Sequence, residues 1–258
     1  MPKLTVTVIT LNEAANIDAC LASVVWADEV LVVDSGSGDG TADRARAAGA
    51  RVIERGWPGY SAQKDFAAGE AAHDWILSLD ADERVTPPLA EQIRHELAGE
   101  PAVSGFRIPR VPWHLGRWIR TTDWYPDYQL RLYDRRRARW NARTVHESVE
   151  AAQPVGTLTG ELQHFAYRDV SHHHATIDRY TTLAAEQMQK AGRRAGMVDL
   201  LLHPLAAFLR NYLLRRGVLD GVPGLIISVM NAYYVFLKFA KLWALQHTAA
   251  GSIPRRRM

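Results

Sequence analysis

The stretch "WILSLDADERV", residues 75–85, decides how this chain is read. Trp75 to Leu79 is a short apolar run of the kind that forms a buried strand. Three carboxylates then follow within four positions: Asp80, Asp82 and Glu83. Crowded carboxylates repel one another and raise each other's pKa, so the cluster needs a positive partner. A hard divalent cation would serve. Mg²⁺ or Mn²⁺ prefers oxygen ligands and usually binds through one or two carboxylates plus substrate phosphates. Asp80 and Asp82 can point to the same side of a turn just past a strand. The plainer alternative is a carboxylate-rich helix cap ahead of Pro87.

Toward the N-terminus the chain alternates. Leu4–Ile9 reads as a strand, and Asn12 to Val25 has helical spacing with Ile17, Leu21 and Val24 on one face. Val30–Val33 reads as a second strand ending in Asp34, followed by the Gly-rich "DSGSGDGT" and a short Ala-rich helix that Thr41 can cap. Arg51–Ile53, Gly59–Ala72, Trp75–Leu79 and a helix opened by Pro87 and Pro88 continue the pattern. This spacing predicts an α/β fold with a mostly parallel sheet covered on both faces. The N-terminal MPKLTVTVIT lacks the long apolar core of a signal peptide and reads as the first strand. One cysteine, Cys20, excludes a disulfide framework and fits a reducing compartment.

Beyond Gly99 the character changes. Short strand-like pieces, Gly105–Arg110 and Gln129–Tyr133, stand among Trp, Pro and Arg, and polar then apolar helices take over at 172–191 and from His203 to Gln246. His172–His174 reads as solvated surface or a helix start, since helix neighbours point in different directions. The division expected is 1–170 for the α/β domain and 171–258 for a helical region. A formal charge of +3 hides an asymmetry: residues 107–143 carry ten Arg against three Asp, and residues 203–258 carry eight Lys or Arg against Asp220 alone. Such surfaces suit anionic partners. Gly221–Leu237 is uncharged over seventeen residues, near the lower limit for a span, and holds Pro223, Gly224 and Asn231. With Lys238, Lys241 and Arg255–Arg257 beside it, an interfacial helix on an acidic leaflet fits better than a crossing helix; a helix packed in the core is the alternative.

Ligands of an open parallel sheet bind outside the carboxyl ends of its strands. Three strand ends here carry polar groups: Thr10, Asn12 and Glu13; Asp34 with its glycines; and "DADE". "GSGDGT" lacks the G-x-G-x-x-G spacing and follows the second strand, which argues against a dinucleotide. At this point "VTVITLNEAANIDACLASV", "VVDSGSGDGT", "QKDFA" and "LSLDADE" together resemble family 2 glycosyltransferases of the GT-A fold over the first hundred residues or so. "DWYPDYQLRLYDRR", "VHESV", "LQHFAY" and "NYLLRRGVLDGVPGL" resemble the branch that acts on the inner core of lipopolysaccharide. The resemblance implies a GT-A sheet with a C-terminal helical, membrane-associated extension and a nucleotide-diphospho-sugar across the strand ends. Thr10, Asn12 and Glu13 would line the nucleotide pocket, Asp34 would meet base or ribose, and Lys64 the base or diphosphate. Asp80 would bind ribose beside Ala81, and Asp82 the metal, with Asp80 and His164 as further metal candidates.

An inverting transfer also needs a carboxylate to take the acceptor's proton. Glu147, with His146 beside it, is the first choice and Asp127 the second, ahead of Asp123, Glu161 and Asp169. Trp124 and Tyr125 could form a sugar platform, and Arg131, Arg135 and Arg136 could clamp phosphate. A plain ion pair with the nearby Arg residues is the alternative for either carboxylate. The expected partners are a nucleotide sugar, a lipid-anchored glycan and the anionic cytoplasmic face of the inner membrane, with no nucleic acid. One competing reading is transfer to a polyprenyl phosphate, which needs no base. Another is a non-catalytic protein that binds anionic lipid or nucleic acid, for which Asp80 and Asp82 would be dispensable.

Overall fold

The computed structural model describes residues 2–141 and 147–248. His146 and Arg255–Arg257 lie outside the described residues. In chain order the elements are β1 (Leu4–Thr10), α1 (Ile17–Ala22), β2 (Glu29–Asp34), α2 (Thr41–Ala47), β3 (Arg51–Glu54), α3 (Tyr60–Glu70), β4 (Trp75–Asp80), β5 (Glu83–Val85) and α4 (Pro87–Ala98). Then come β6 (Gly105–His114), β7 (Arg117–Trp118), β8 (Asp127–Asp134), β9 (Ala138–Trp140), β10 (Val149–Ala151), β11 (Gly156–Thr157), β12 (Leu162–His164), α5 (Val170–Lys190), α6 (Met197–Leu209) and α7 (Gly221–Thr248). The chain forms two compact units, 1–112 with 126–165 and 113–125 with 166–258. The contiguous division expected at 170/171 differs from this by the excursion 113–125 and by residues 166–170.

In the first unit β1 is buried along its whole length and sits between β2 and β4, parallel to both. Its Val, Ile and Thr residues suit a strand covered on both faces. The sheet order is β3-β2-β1-β4-β8-β6-β12-β5. Beyond β4 the sheet is mixed, because β8 runs antiparallel to β4 and β6, and β5 antiparallel to β12. Parallel pairing still prevails along the sheet, and its antiparallel members have a consequence for the site. The carboxyl ends of β1, β2, β4, β6 and β12 and the amino ends of β5 and β8 share one edge. The register sets Thr10 level with Asp34, Ile9 with Asp80, Arg110 with Asp127, and Glu83 with His164.

The helix expected over 12–25 is only Ile17–Ala22. Asn12 adopts a left-handed φ of 56° and its side chain binds elsewhere: its amide Oδ1 accepts from the Gly38 N–H at 2.9 Å. Its own N–H donates to Ser37 Oγ at 2.8 Å. Local side-chain bonds of this kind compete with helix formation. α4 starts as its sequence dictates, with Pro87 and Pro88 in the first turn and Thr86 accepting from the Leu89 N–H.

In the second unit α7 packs against α5 and α6 through Ala185, Phe239, Leu242 and Leu200. Lys241 Nζ binds Asp178 Oδ1 at 2.7 Å and the Thr182 hydroxyl at 2.7 Å on α5. α6 runs into a π-helical turn, Arg210–Leu214, and a 3₁₀ turn, Gly217–Asp220. Gly224 lets that turn sit against α7, since a Cβ there would collide with the Gly217 carbonyl. The excursion 113–125 is tied to these turns: the Asp123 N–H donates to Asn211 Oδ1 at 2.7 Å, and Arg117 pairs with Asp220 at 2.8 Å.

Candidate active site

At the shared strand edge the "DADE" carboxylates part company. Asp80, at the end of β4, gives one oxygen to Lys64 Nζ at 2.9 Å and the other to Arg131 Nη2 at 2.7 Å. Glu83, fully buried, accepts from Arg131 Nη2 and Arg110 Nη1, both at 3.1 Å, and its second oxygen takes the Asp80 N–H at 2.9 Å. Arg110 then forks onto Asp127 Oδ2 at 2.6 and 2.9 Å, and Asp127 Oδ1 accepts from Gln129 at 2.6 Å. Lys64, Asp80, Arg131, Glu83, Arg110 and Asp127 thus form a chain of alternating charge with no net charge. The positive partners of Asp80 and Glu83 are protein cations, and this corrects the expectation that a metal is what makes their crowding tolerable.

Burial raises the Asp80 carboxyl, but Lys64 and Arg131 outweigh it and hold Asp80 well below the ordinary 3.8. Burial and then Arg131 pull the Lys64 ammonium down, against Asp80. Asp127 is likewise lowered: burial raises it and Arg110 more than offsets this. Trp140 covers the two cations, its ring 4.9 Å from Lys64 Nζ and 5.9 Å from the Arg131 guanidinium.

Asp82 is different. Among the described residues it meets no Lys or Arg; His164 Nε2 lies 3.5 Å from its Oδ2, and both side chains are partly exposed. Glu147 is also partly exposed, and its Oε1 lies 3.9 Å from Lys64 Nζ. The sheet therefore gathers Lys64, Asp80, Asp82, Glu147, Asp127, Arg131 and His164 at one edge, with Ala81 buried between the two aspartates.

Several expected roles do not match the geometry. Asp80 has both oxygens engaged by protein cations, Lys64 on one and Arg131 on the other. Arg131 is almost completely buried and holds Asp80 and Glu83 rather than facing a phosphate. Asp34 accepts from the N–H groups of Gly36 and Ser37 and from the Ser37 hydroxyl, so it shapes its own loop. Glu13 bonds Asn16 Nδ2 at 2.7 Å, while the Thr10 hydroxyl is buried with no partner among the described residues. Trp124 and Tyr125 belong to the second unit, where the Trp124 ring packs on His114, Tyr167 and His173. The His172–His174 run stands at the start of α5, one of the two readings expected, and His173 is buried there rather than solvated. Asp123 pairs with Arg210 and Arg215, Asp169 caps α5, and Arg136 pairs with Asp134 and Asp74. Arg135 donates to the carbonyls of Ala68 and Ala71.

Sequence reasoning passed over Arg110, Trp140 and the pairing role of Glu83. A signal was present: "QLRLYD" and "GFRIPRV" place single arginines inside apolar strands, and a buried guanidinium requires a carboxylate.

The model of "Glycosyl transferase family 2" matches residues 5–153. The "Lipopolysaccharide core biosynthesis glycosyltransferase LpsC" of Rhizobium meliloti (strain 1021) is 33% identical over 94% of this chain and 93% of its own length. An uncharacterized glycosyltransferase of Rickettsia bellii (strain RML369-C) is 30% identical over 93% of this chain and 86% of its own. Among solved structures, glucosyl-3-phosphoglycerate synthase from Mycobacterium tuberculosis, in complex with Mn²⁺, uridine diphosphate and glucosyl-3-phosphoglycerate, matches 43% of this chain and 44% of its own. It is 24% identical, with a TM-score of 0.37. The mixed sheet flanked by helices is an α/β fold. With the family model spanning more than half the chain and a relative matching nearly all of it, this chain belongs to the family 2 glycosyltransferases, and it is an enzyme.

Proposed function

We propose that the protein moves a sugar, with inversion, from a nucleotide-diphospho-sugar to a lipid-anchored glycan of the lipopolysaccharide inner core. The observation that carries this reading is the meeting of an available carboxylate, Glu147, with the Lys64–Asp80 pair at the strand edge. The name of the Rhizobium relative supports the acceptor class. In this reading residues 1–170 bind donor and perform the chemistry, and 171–258 attach the enzyme peripherally at the cytoplasmic face of the inner membrane.

The donor lies across the strand ends, with Thr10, Asn12 and Glu13 beside the nucleotide. Asp82 and His164 would hold Mg²⁺ or Mn²⁺, because a carboxylate and an imidazole 3.5 Å apart with no Lys or Arg partner suit a cation that substrate phosphates then help to ligate. Such an ion supplies charge neutralisation for the departing nucleoside diphosphate. Glu147 takes the proton of the acceptor hydroxyl. The freed oxygen forms its bond to the anomeric carbon as the bond to the diphosphate oxygen breaks on the opposite face. Asp127 fits this role poorly, since Arg110 and Gln129 occupy its oxygens and keep its carboxyl acidic.

Glu147→Gln tests the assignment. Transfer should fall by roughly 10²–10⁴ while calorimetric donor affinity stays unchanged. Near-normal turnover in Glu147→Gln together with an inactive Asp127→Asn would move the base to Asp127. Indifference to both would favour a polyprenyl phosphate acceptor.

A further inference from the structure

The second unit carries apolar side chains on its outside. Leu201, Leu202 and Leu205 on α6 and Leu213 and Leu214 in the π-helical turn are all more than half exposed, Leu214 at 79%. Their spacing of three and four residues along α6 places them with Leu209 on one stripe. Leu200, His203 and Ala207 lie toward the opposite face, where Leu200 joins the core with Phe239 and the His203 ring packs on Phe239. The stripe continues past the helix end into Val218 and Leu219 of the 3₁₀ turn, both exposed. A continuous apolar patch of this kind on a soluble surface marks an interaction site.

Charge says what covers it. The carboxylates of this end are paired with arginine: Asp199 with Arg193, Asp220 with Arg117, and Asp123 with Arg210 and Arg215. Arg194, just before α6, and Arg216, just after the π-helical turn, are exposed and have no ion pair among the described residues. An apolar stripe bracketed by spare cations complements acyl chains below a layer of lipid phosphates.

α7 is long and apolar enough to cross a bilayer. Its C-terminal half, however, is fastened to α5 by Lys241 and packed on it through Phe239 and Leu242. α5 carries Asp178, Arg179, Glu186 and Lys190 and cannot enter hydrocarbon alongside it.

We propose that the outer stripe of α6 and the two turns after it form a monotopic insertion surface that enters one leaflet of an anionic phospholipid bilayer, and that α7 does not span. This rests on the membrane placement above and replaces the uncharged run of α7 as the point of entry. The stripe enters to the depth of the headgroup and upper acyl region, about 5–10 Å, while Arg194 and Arg216 meet phosphates.

The test is flotation of the full chain with vesicles of phosphatidylcholine, with and without phosphatidylglycerol. Leu202→Glu and Leu214→Glu should each weaken partitioning by about tenfold or more, the size of one lost apolar anchor. Arg194→Gln with Arg216→Gln should remove the preference for phosphatidylglycerol. Trp243→Ser, on the α5-bound half of α7, should float like the unaltered protein. Loss of flotation in Trp243→Ser with full flotation of both Glu variants would overturn the proposal in favour of α7. Failure of the unaltered protein to float would overturn it as well. So would an unaltered protein that sediments as a dimer the Glu variants break, because the stripe would then be covered by a second copy. Transfer to a water-soluble acceptor fragment lacking lipid is measured in parallel. Its absence in the unaltered protein would sink the glycosyl acceptor reading, whatever the vesicles show.

Discussion

At the strand edge of the first unit Glu83 is fully buried and Arg131 nearly so, while on α6 of the second Leu201, Leu202 and Leu205 stand in solvent. One region puts charge inside and the other puts hydrocarbon outside. The buried acids Asp80 and Glu83 each lie between two bases, so the cost of their burial is largely met within the fold. The exposed leucines are covered by none of the described residues. An inverted residue that is fully partnered is architecture, and an inverted residue left without a partner points to something outside the molecule. The carboxylates of "DADE" divide in a related way: Asp80 and Glu83 are held by Lys and Arg, whereas Asp82, partly exposed, has His164 beside it and no Lys or Arg among the described residues.

The contrast can be broken most sharply at Glu83. Glu83→Gln leaves Arg110 and Arg131 short of a charge in a buried site, and loss of one partner of a buried pair costs about 3–5 kcal/mol. Urea unfolding should show that loss; a variant as stable as the parent would mean that the chain of alternating charge is dispensable.

Acid separates the two units. His173 is pushed down to about 4, by burial first and then by His114 and His172, and burial lowers His114 too. Unfolding lets both histidines bind protons near 6.5, so the unfolded state takes up protons first as pH falls. Stability of the helical unit is complete above about pH 6.5 and declines toward pH 4, by on the order of 3 kcal/mol for His173 alone. Asp80 behaves in the opposite sense. Its stabilising contribution is present above its ordinary 3.8 and is lost only as pH falls below that toward its depressed folded value. The Trp124 ring lies 5.3 Å from that of His173, so its fluorescence should change before far-ultraviolet dichroism of the sheet does. His173→Phe should flatten the upper part of this pH dependence.

A smaller effect belongs to Asp82 and its neighbour His164. Asp82→Asn or His164→Phe should weaken metal-dependent donor binding by roughly 10–100-fold, as loss of groups around a metal does, with urea stability nearly intact. Equal donor affinity with and without Mg²⁺ in the parent would remove the metal from the account. The smallest expected effect is on folding: Leu202→Ser and Leu214→Ser should alter stability by no more than about 0.5 kcal/mol.

The first hundred residues were legible because each strand is a short apolar run closed by a polar end, so "LTVTVI", "VLVV" and "WILSL" could be placed without knowing their neighbours. The direction of β8 and the existence of β5 were not, because they depend on pairing with β4 and β12, which no local pattern encodes. At the site the sequence identified Lys64, Asp80, Asp82 and Glu147 as polar residues worth gathering. It could not say that Asp80 is held by Arg131, fifty-one positions away, because that contact exists only once β8 lies beside β4. In the second unit the apolar run of α7 drew attention away from α6. Exposure is decided by which face packs on a neighbour, and composition is silent on that.

The place of β4 in the sheet also bears on how the chain is made. β4 finds β1 already synthesised, but its other neighbour, β8, and the cations Arg110 and Arg131 come about 30–50 residues later. At a synthesis rate of about 5–20 residues per second, that interval lasts several seconds. During it, a nascent β3-β2-β1-β4 sheet presents an open hydrophobic edge, and the acids Asp80 and Glu83 have only Lys64 to answer them. Like charges at an open strand discourage edge-to-edge pairing with another chain, and Asp80 stands at the end of that strand until Arg131 reaches it.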